Sequence, residues 1–187
     1  MIKQHRGRSI DWRTFIIIFV MASACACAIR TYEIDSSSTY RRYVEEATEY
    51  VPPSGRGPIV ILISGVNGPD AYRGYAADVA RLGYYAVLLN GHSISLSQYG
   101  EGDLRRAIEQ AQRSPKALPG KVAVIGFSMG GGGALTHATH MPDLVSAVIA
   151  YYPMTMQIQD MRSFAARFKV PTLVLAGEKD AYRNCCL

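Results

Sequence analysis

Cysteine is scarce in these 187 residues, and its four positions exclude most of what cysteine usually builds. Cys185 and Cys186 are adjacent, and neighbouring cysteines rarely bridge each other without strain. Cys25 and Cys27 fall in an apolar stretch near the start. No C-x-x-C pair recurs, so neither a zinc site nor any other metal is expected. Phosphate-binding loops are missing as well. Gly120-Lys121 lacks the preceding glycine and the following hydroxyl of G-x-x-x-x-G-K-[ST], and Gly55-Arg56-Gly57 never completes G-x-G-x-x-G, so no cofactor is expected. There is no internal repeat, and the 17 Gly and 9 Pro follow no short period, which excludes collagen-like and low-complexity chains.

A basic stripe interleaved with aromatics is also absent. The formal charge is +5, but Lys3, Arg6, Arg8 and Arg13 against Asp11 concentrate most of the excess in the first 29 residues. Beyond them acids and bases are mixed, and no nucleic-acid partner is expected. What the chain does have is apolar material, 49 % of it. That suffices for one domain with a sizeable core, and it excludes global disorder.

Residues 1–29 read as a targeting segment. A basic stretch precedes Phe15–Ile29, a run of apolar and small residues interrupted only by Ser23. The run is short for a membrane-spanning helix but suits the core of an export signal. Ala22-Ser23-Ala24 is an A-x-A cleavage pattern directly before Cys25. The segment also resembles a bacterial lipoprotein signal, with Cys25 as the lipidated residue and Cys27 in a competing register. The expected location is therefore outside the cytoplasm, free or lipid-anchored, with membrane association through this segment. An uncleaved short anchor, or a cytoplasmic protein starting downstream of Met21, are the alternatives. Residues 30–57 read as polar, turn-rich linker around one possible first strand near Arg42–Glu46.

From residue 58 the pattern is regular. Ile59–Ile63 is a β-branched run without polar alternation, as in a strand buried on both faces. A helix over Tyr75–Leu82, stopped by Gly83, leads to a strand over Tyr84–Leu89 that ends at Asn90-Gly91. Leu104, Ala107, Ile108 and Ala111 share one helical face, predicting an amphipathic helix over 103–113. Val122–Ile125 is the third strand, followed by a helix from Met129 to about Met141. Leu144–Tyr151 is the fourth strand, Ser163–Phe168 a short helix and Thr172–Ala176 the fifth strand. Strands alternating with helices predict an α/β fold: a mostly parallel sheet with helices on both faces.

The chemistry concentrates in Gly126-Phe127-Ser128-Met129-Gly130. This is G-x-S-x-G, placed after a strand and before a helix, as a nucleophile turn requires. A serine on so sharp a turn has a strained backbone, and its flanking glycines avoid collision. The helix that follows brings N–H groups and a positive dipole end to a developing oxyanion. Glycine inside a helix costs about 0.5–1 kcal/mol, so the run Gly130–Gly133 implies close packing in return.

A serine nucleophile needs a base oriented by an acid, and in this architecture the order is serine, acid, histidine. Asp180 fits the acid, just past the fifth strand on the edge where parallel sheets keep ligands. Glu178 is closer to the strand end and fits less well. All four histidines, His5, His92, His137 and His140, precede Asp180. His137 and His140 lie along the helix after the serine and are expected to face solvent or the sheet. His92 alone could approach the site. The simpler expectation is that the triad histidine, the last strand and the last helix lie beyond Leu187, so that the 187 residues alone make a poor enzyme.

From about Ile59 to Asp180 the chain resembles the dienelactone hydrolase family of α/β-hydrolases. The likeness runs through Arg81–Val87, Val124–Gly132 and Pro171–Asp180. It implies Ser128 as nucleophile, Asp180 as triad acid, and an oxyanion hole made by the backbone N–H of Met129 and one near Val66. Dienelactone hydrolases proper carry cysteine where Ser128 stands, which points to esterase-like relatives. Ser64-Gly65-Val66 also lacks the His-Gly pair common in many relatives. The implied function is hydrolysis of a small carboxylic ester; a non-catalytic α/β-hydrolase-like binding or scaffold protein is the alternative. Tyr72, Tyr75, Tyr99, Tyr151 and Tyr152 are candidates for an aromatic pocket wall.

Overall fold

The computed structural model describes residues 47–156 and 158–177. The N-terminal segment and the strand expected near Arg42–Glu46 lie outside them, as do Glu178 and Asp180.

Six strands form one sheet in the order β1-β3-β2-β4-β5-β6. They are β1 (Thr48–Tyr50), β2 (Ile59–Ile63), β3 (Tyr85–Leu89), β4 (Val122–Phe127), β5 (Val145–Tyr151) and β6 (Thr172–Leu175). β1 runs antiparallel to β3, and every other pairing is parallel. The helices are α1 (Arg73–Arg81), α2 (Gly91–Ser95), α3 (Gly100–Arg113), α4 (Met129–His137) and α5 (Met161–Ala165). This is the mostly parallel α/β architecture that the alternating pattern predicts.

Burial explains why β2 has no polar alternation. Ile59, Ile61 and Ile63 pack into one core with α3 residues Leu104 and Ile108, while Val60 and Leu62 pack into a second with Ala76 and Val79 of α1. Each such side chain contributes about 1.5–3 kcal/mol of burial free energy. With apolar matter on both sides, a polar residue at any β2 position would lose its water without a partner.

Boundaries shift for local reasons. α1 stops as expected at Gly83, whose φ of 99° lets the chain reverse and whose N–H donates to the Ala80 carbonyl at 2.9 Å. α3 starts earlier than its apolar face suggests, because Gly100 fits tightly against the Ile94 carbonyl. β4 is two residues longer than expected and runs up to the serine. The helix after it ends at His137 and continues as a 3-10 turn over Ala138–His140. The fourth helix of the sequence pattern lies at Met161–Ala165, two residues earlier, started by the Asp160 carboxylate, which accepts from the N–H groups of Arg162 and Ser163. Two elements have no counterpart in the expectations. β1 is too short to show periodicity, and α2 is capped by Asn90, whose side chain accepts from the His92 N–H at 3.1 Å.

The strand order positions the site. From β2 the chain crosses to β3 on one side, then returns past β2 to β4 on the other. The loops leaving the C-terminal ends of β2 and β4 therefore diverge, opening a crevice where open α/β sheets hold ligands. Ser64-Gly65 and Ser128 stand at its two lips.

Candidate active site

Ser128 joins β4 to α4 with φ 50° and ψ −115°. Only Ser128 and Tyr152 have positive φ among the described non-glycine residues. Such a conformation costs about 1–3 kcal/mol and persists when its surroundings over-determine it. Here they do. The Ser128 N–H donates to the Tyr151 carbonyl at 2.9 Å, and the Ser128 carbonyl accepts from Gly132 N–H at 3.0 Å and Met154 N–H at 2.8 Å. Serine at the start of a helix commonly caps it through its hydroxyl. Ser128 makes no such cap, and its side chain is half-buried.

The glycines around it are demanded by contact. A Cβ on Gly126 would overlap the Gly130 carbonyl, and one on Gly130 would overlap the carbonyls of Ile63 and Ser64. Gly131 lies where a Cβ would come within 3.1 Å of Pro153. Gly132 faces the Met154 carbonyl and Gly133 the Ser95 hydroxyl, both too close for a side chain. α4 thus lies against β2, α2 and the loop after β5 with no side chain of its own at these contacts.

The donors that the resemblance implies for an oxyanion are placed as follows. Met129 is the first residue of α4, where helix geometry supplies no intrahelical acceptor for its N–H. Its carbonyl accepts from the Ser95 hydroxyl at 2.8 Å, tying α2 to the turn. Val66 sits in a turn closed by Gly68 N–H donating to the Gly65 carbonyl at 3.1 Å, and it is 62 % exposed, so solvent reaches the loop. Behind the loop, Ser64 is fully buried and its hydroxyl accepts from the Gly91 N–H at 2.9 Å.

No described histidine pairs with Ser128. His92 is exposed on α2, its Nδ1 3.3 Å from the Asn90 side-chain oxygen. His137 faces neither solvent nor sheet alone. It is half-buried beside Gly100 and the Ile94 carbonyl, and burial pushes its pKa below the ordinary histidine value despite the pull of that carbonyl and of Glu101. His140 lies 3.0 Å from the Thr139 hydroxyl and edge-on to Phe168. Among the described residues no three His, Cys, Asp or Glu converge to hold a metal ion, and no helix is long and apolar enough to cross a membrane.

Three of the candidate tyrosines, Tyr72, Tyr75 and Tyr151, form an aromatic group with Phe127. Phe127, the residue before Ser128, is stacked between Tyr72 (centroids 4.6 Å apart) and Tyr151 (5.3 Å), with Tyr75 edge-on at 5.0 Å. Burial first, then the Tyr151 hydroxyl, pushes the Tyr75 pKa up to about 12. Tyr99, by contrast, is 65 % exposed at the start of α3.

Comparison with known proteins agrees with the fold. The family model described as "Dienelactone hydrolase family" matches residues 91–184, half of the chain. Among solved structures, Est1E from Butyrivibrio proteoclasticus superposes with a TM-score of 0.59 at 14 % identity, over 73 % of this chain and 74 % of that one. A protein of Klebsiella pneumoniae subsp. pneumoniae assigned as a dienelactone hydrolase gives 0.58 at 21 % identity, over 72 % and 73 %. A chain designated m3DLH gives 0.56 at 18 % identity, over 73 % and 71 %. At these identities the likeness is one of fold. A comparison with curated proteins found no match.

Proposed function

The chain belongs to the dienelactone hydrolase family, and from that premise we propose that it hydrolyses a small carboxylic ester with Ser128 as nucleophile. The observation that carries this reading is the Ser128 turn: a strained, triply anchored residue at the sheet's switch point, whose hydroxyl does not cap its helix.

In the proposed mechanism the Ser128 hydroxyl oxygen bonds to the acyl carbon while a histidine takes its proton. Asp180 holds that imidazole in the right tautomer and stabilises its charged form. In the order of this fold that histidine is expected to follow Asp180. The carbonyl oxygen, now negative, is held by the N–H groups of Met129 and Val66, and such donors are each worth about 10²–10³ in kcat. Collapse breaks the bond to the alcohol, which leaves with the imidazolium proton. Water, deprotonated by the same histidine, then releases the acid and restores the serine.

The test is labelling of the full-length protein with a fluorophosphonate. Wild type should be modified at Ser128 and Ser128→Ala should not. A folded full-length protein that stays unlabelled would support a non-catalytic binding role and end this reading. The N-terminal segment is proposed to deliver residues 58–187, the hydrolase domain, outside the cytoplasm, free or lipid-anchored at Cys25. Mass spectrometry of the mature N-terminus tests that.

A further inference from the structure

Gly65, at the lip opposite the serine, is not there for its backbone. Gly65 is not among the residues with positive φ, so any side chain could adopt its conformation. It is there for space. A Cβ at Gly65 would collide with the Tyr72 hydroxyl and lie 3.3 Å from the Ser128 Cβ. The phenol oxygen of Tyr72 therefore occupies the volume a side chain at position 65 would have filled, beside the serine side chain.

Two further contacts hold it there. The Tyr72 ring stacks on Phe127, the residue before the nucleophile, at 4.6 Å. The Tyr152 hydroxyl, raised in pKa by burial first and by Tyr72 as well, is its polar neighbour from the end of β5. A phenol hydroxyl has one hydrogen to donate and can accept as well. Tyr72 itself stands in the 3-10 turn Pro69–Tyr72, outside the turn that carries the chemistry.

We propose that Tyr72 is a specificity-determining residue whose hydroxyl donates a hydrogen bond to an oxygen of the acyl group two bonds from the scissile carbonyl carbon. The substrate class is then esters of 2-alkoxy, 2-hydroxy or 2-oxo acids, in preference to plain alkanoates. This inference rests on Ser128 being the nucleophile, since it is that bond which brings the acyl carbon to the wall of Tyr72.

An isosteric pair tests it. The 4-nitrophenyl esters of methoxyacetic and butyric acid differ by one ether oxygen in place of a methylene, and taking the ratio of their kcat/KM values in wild type and variant cancels the intrinsic reactivity of each ester. In the full-length protein, Tyr72→Phe should lower the methoxyacetate-to-butyrate ratio about three- to tenfold, the worth of one ordinary hydrogen bond. The ring and its stacking on Phe127 remain in this variant. Tyr75→Phe, which removes a hydroxyl from the far side of the same aromatic group, should keep the wild-type ratio. An unchanged ratio in Tyr72→Phe, an equal fall on both esters, or the same fall in Tyr75→Phe overturns the assignment while fluorophosphonate labelling of Ser128 leaves the hydrolase reading standing. Absence of that labelling in folded protein overturns both.

Discussion

Gly126 and Gly130 meet backbone to backbone across the nucleophile turn, so closely that a Cβ on the first would occupy the carbonyl of the second. Alanine at either position should therefore displace Ser128 as well as destabilise the fold. Overpacking of this kind costs about 1–3 kcal/mol, and each kcal/mol lowers Tm by roughly 2–4 °C in a chain of this size. Thermal unfolding and fluorophosphonate labelling of Gly126→Ala and Gly130→Ala should fall together. Gly74, with nothing near its Cβ position, is the control site, and Gly74→Ala should retain both.

Ser128 itself should be stability-limiting. Its φ of 50° is costly for serine and open to glycine. Ser128→Gly is expected to abolish labelling and raise stability by about 1 kcal/mol, read as an increase in the denaturation midpoint at unchanged m-value. Ser128→Ala, which keeps the Cβ, should abolish labelling without that gain.

His137 gives the fold a pH dependence. Burial holds its folded-state pKa below the unfolded value, so protonation favours the unfolded chain. Its contribution is complete above about pH 6.5 and is lost as pH falls below that value. A plot of Tm against pH should show a decline through the weakly acidic range in wild type that is shallower in His137→Gln.

β6 is the terminal strand of the sheet among the described residues, and Leu173, Val174 and Leu175 are 52 %, 41 % and 40 % exposed. An apolar edge with free backbone groups is a template for pairing with another chain. The 187-residue chain should self-associate with rising concentration, measured by light scattering. Leu173→Lys with Leu175→Lys should suppress it.

The parts of the fold legible in the sequence are those where one physical rule acts alone. β2 was readable to the residue because burial on both faces leaves only apolar choices. The tight strand-to-helix turn at Ser128 was readable because glycine at five places in a short stretch has few other reasons. α2 escaped because five residues cannot show a period, although Asn90 was its capping signal. β1 escaped for the same reason. The role of Gly65 was hidden because its neighbour is seven residues away, on a turn whose direction no local pattern encodes. His137 was misjudged because its surroundings come from α2 and α3, which only the tertiary arrangement brings to it.

The glycine run of α4 has a consequence for when the protein becomes reactive. A nine-residue segment with four consecutive glycines has little tendency to coil by itself. It does so only once β2, α2 and the loop after β5 are in place to receive it. The strained turn at Ser128 is therefore set by the last steps of tertiary assembly, and under the proposed mechanism a nascent or partly unravelled chain carries an ordinary, inert serine.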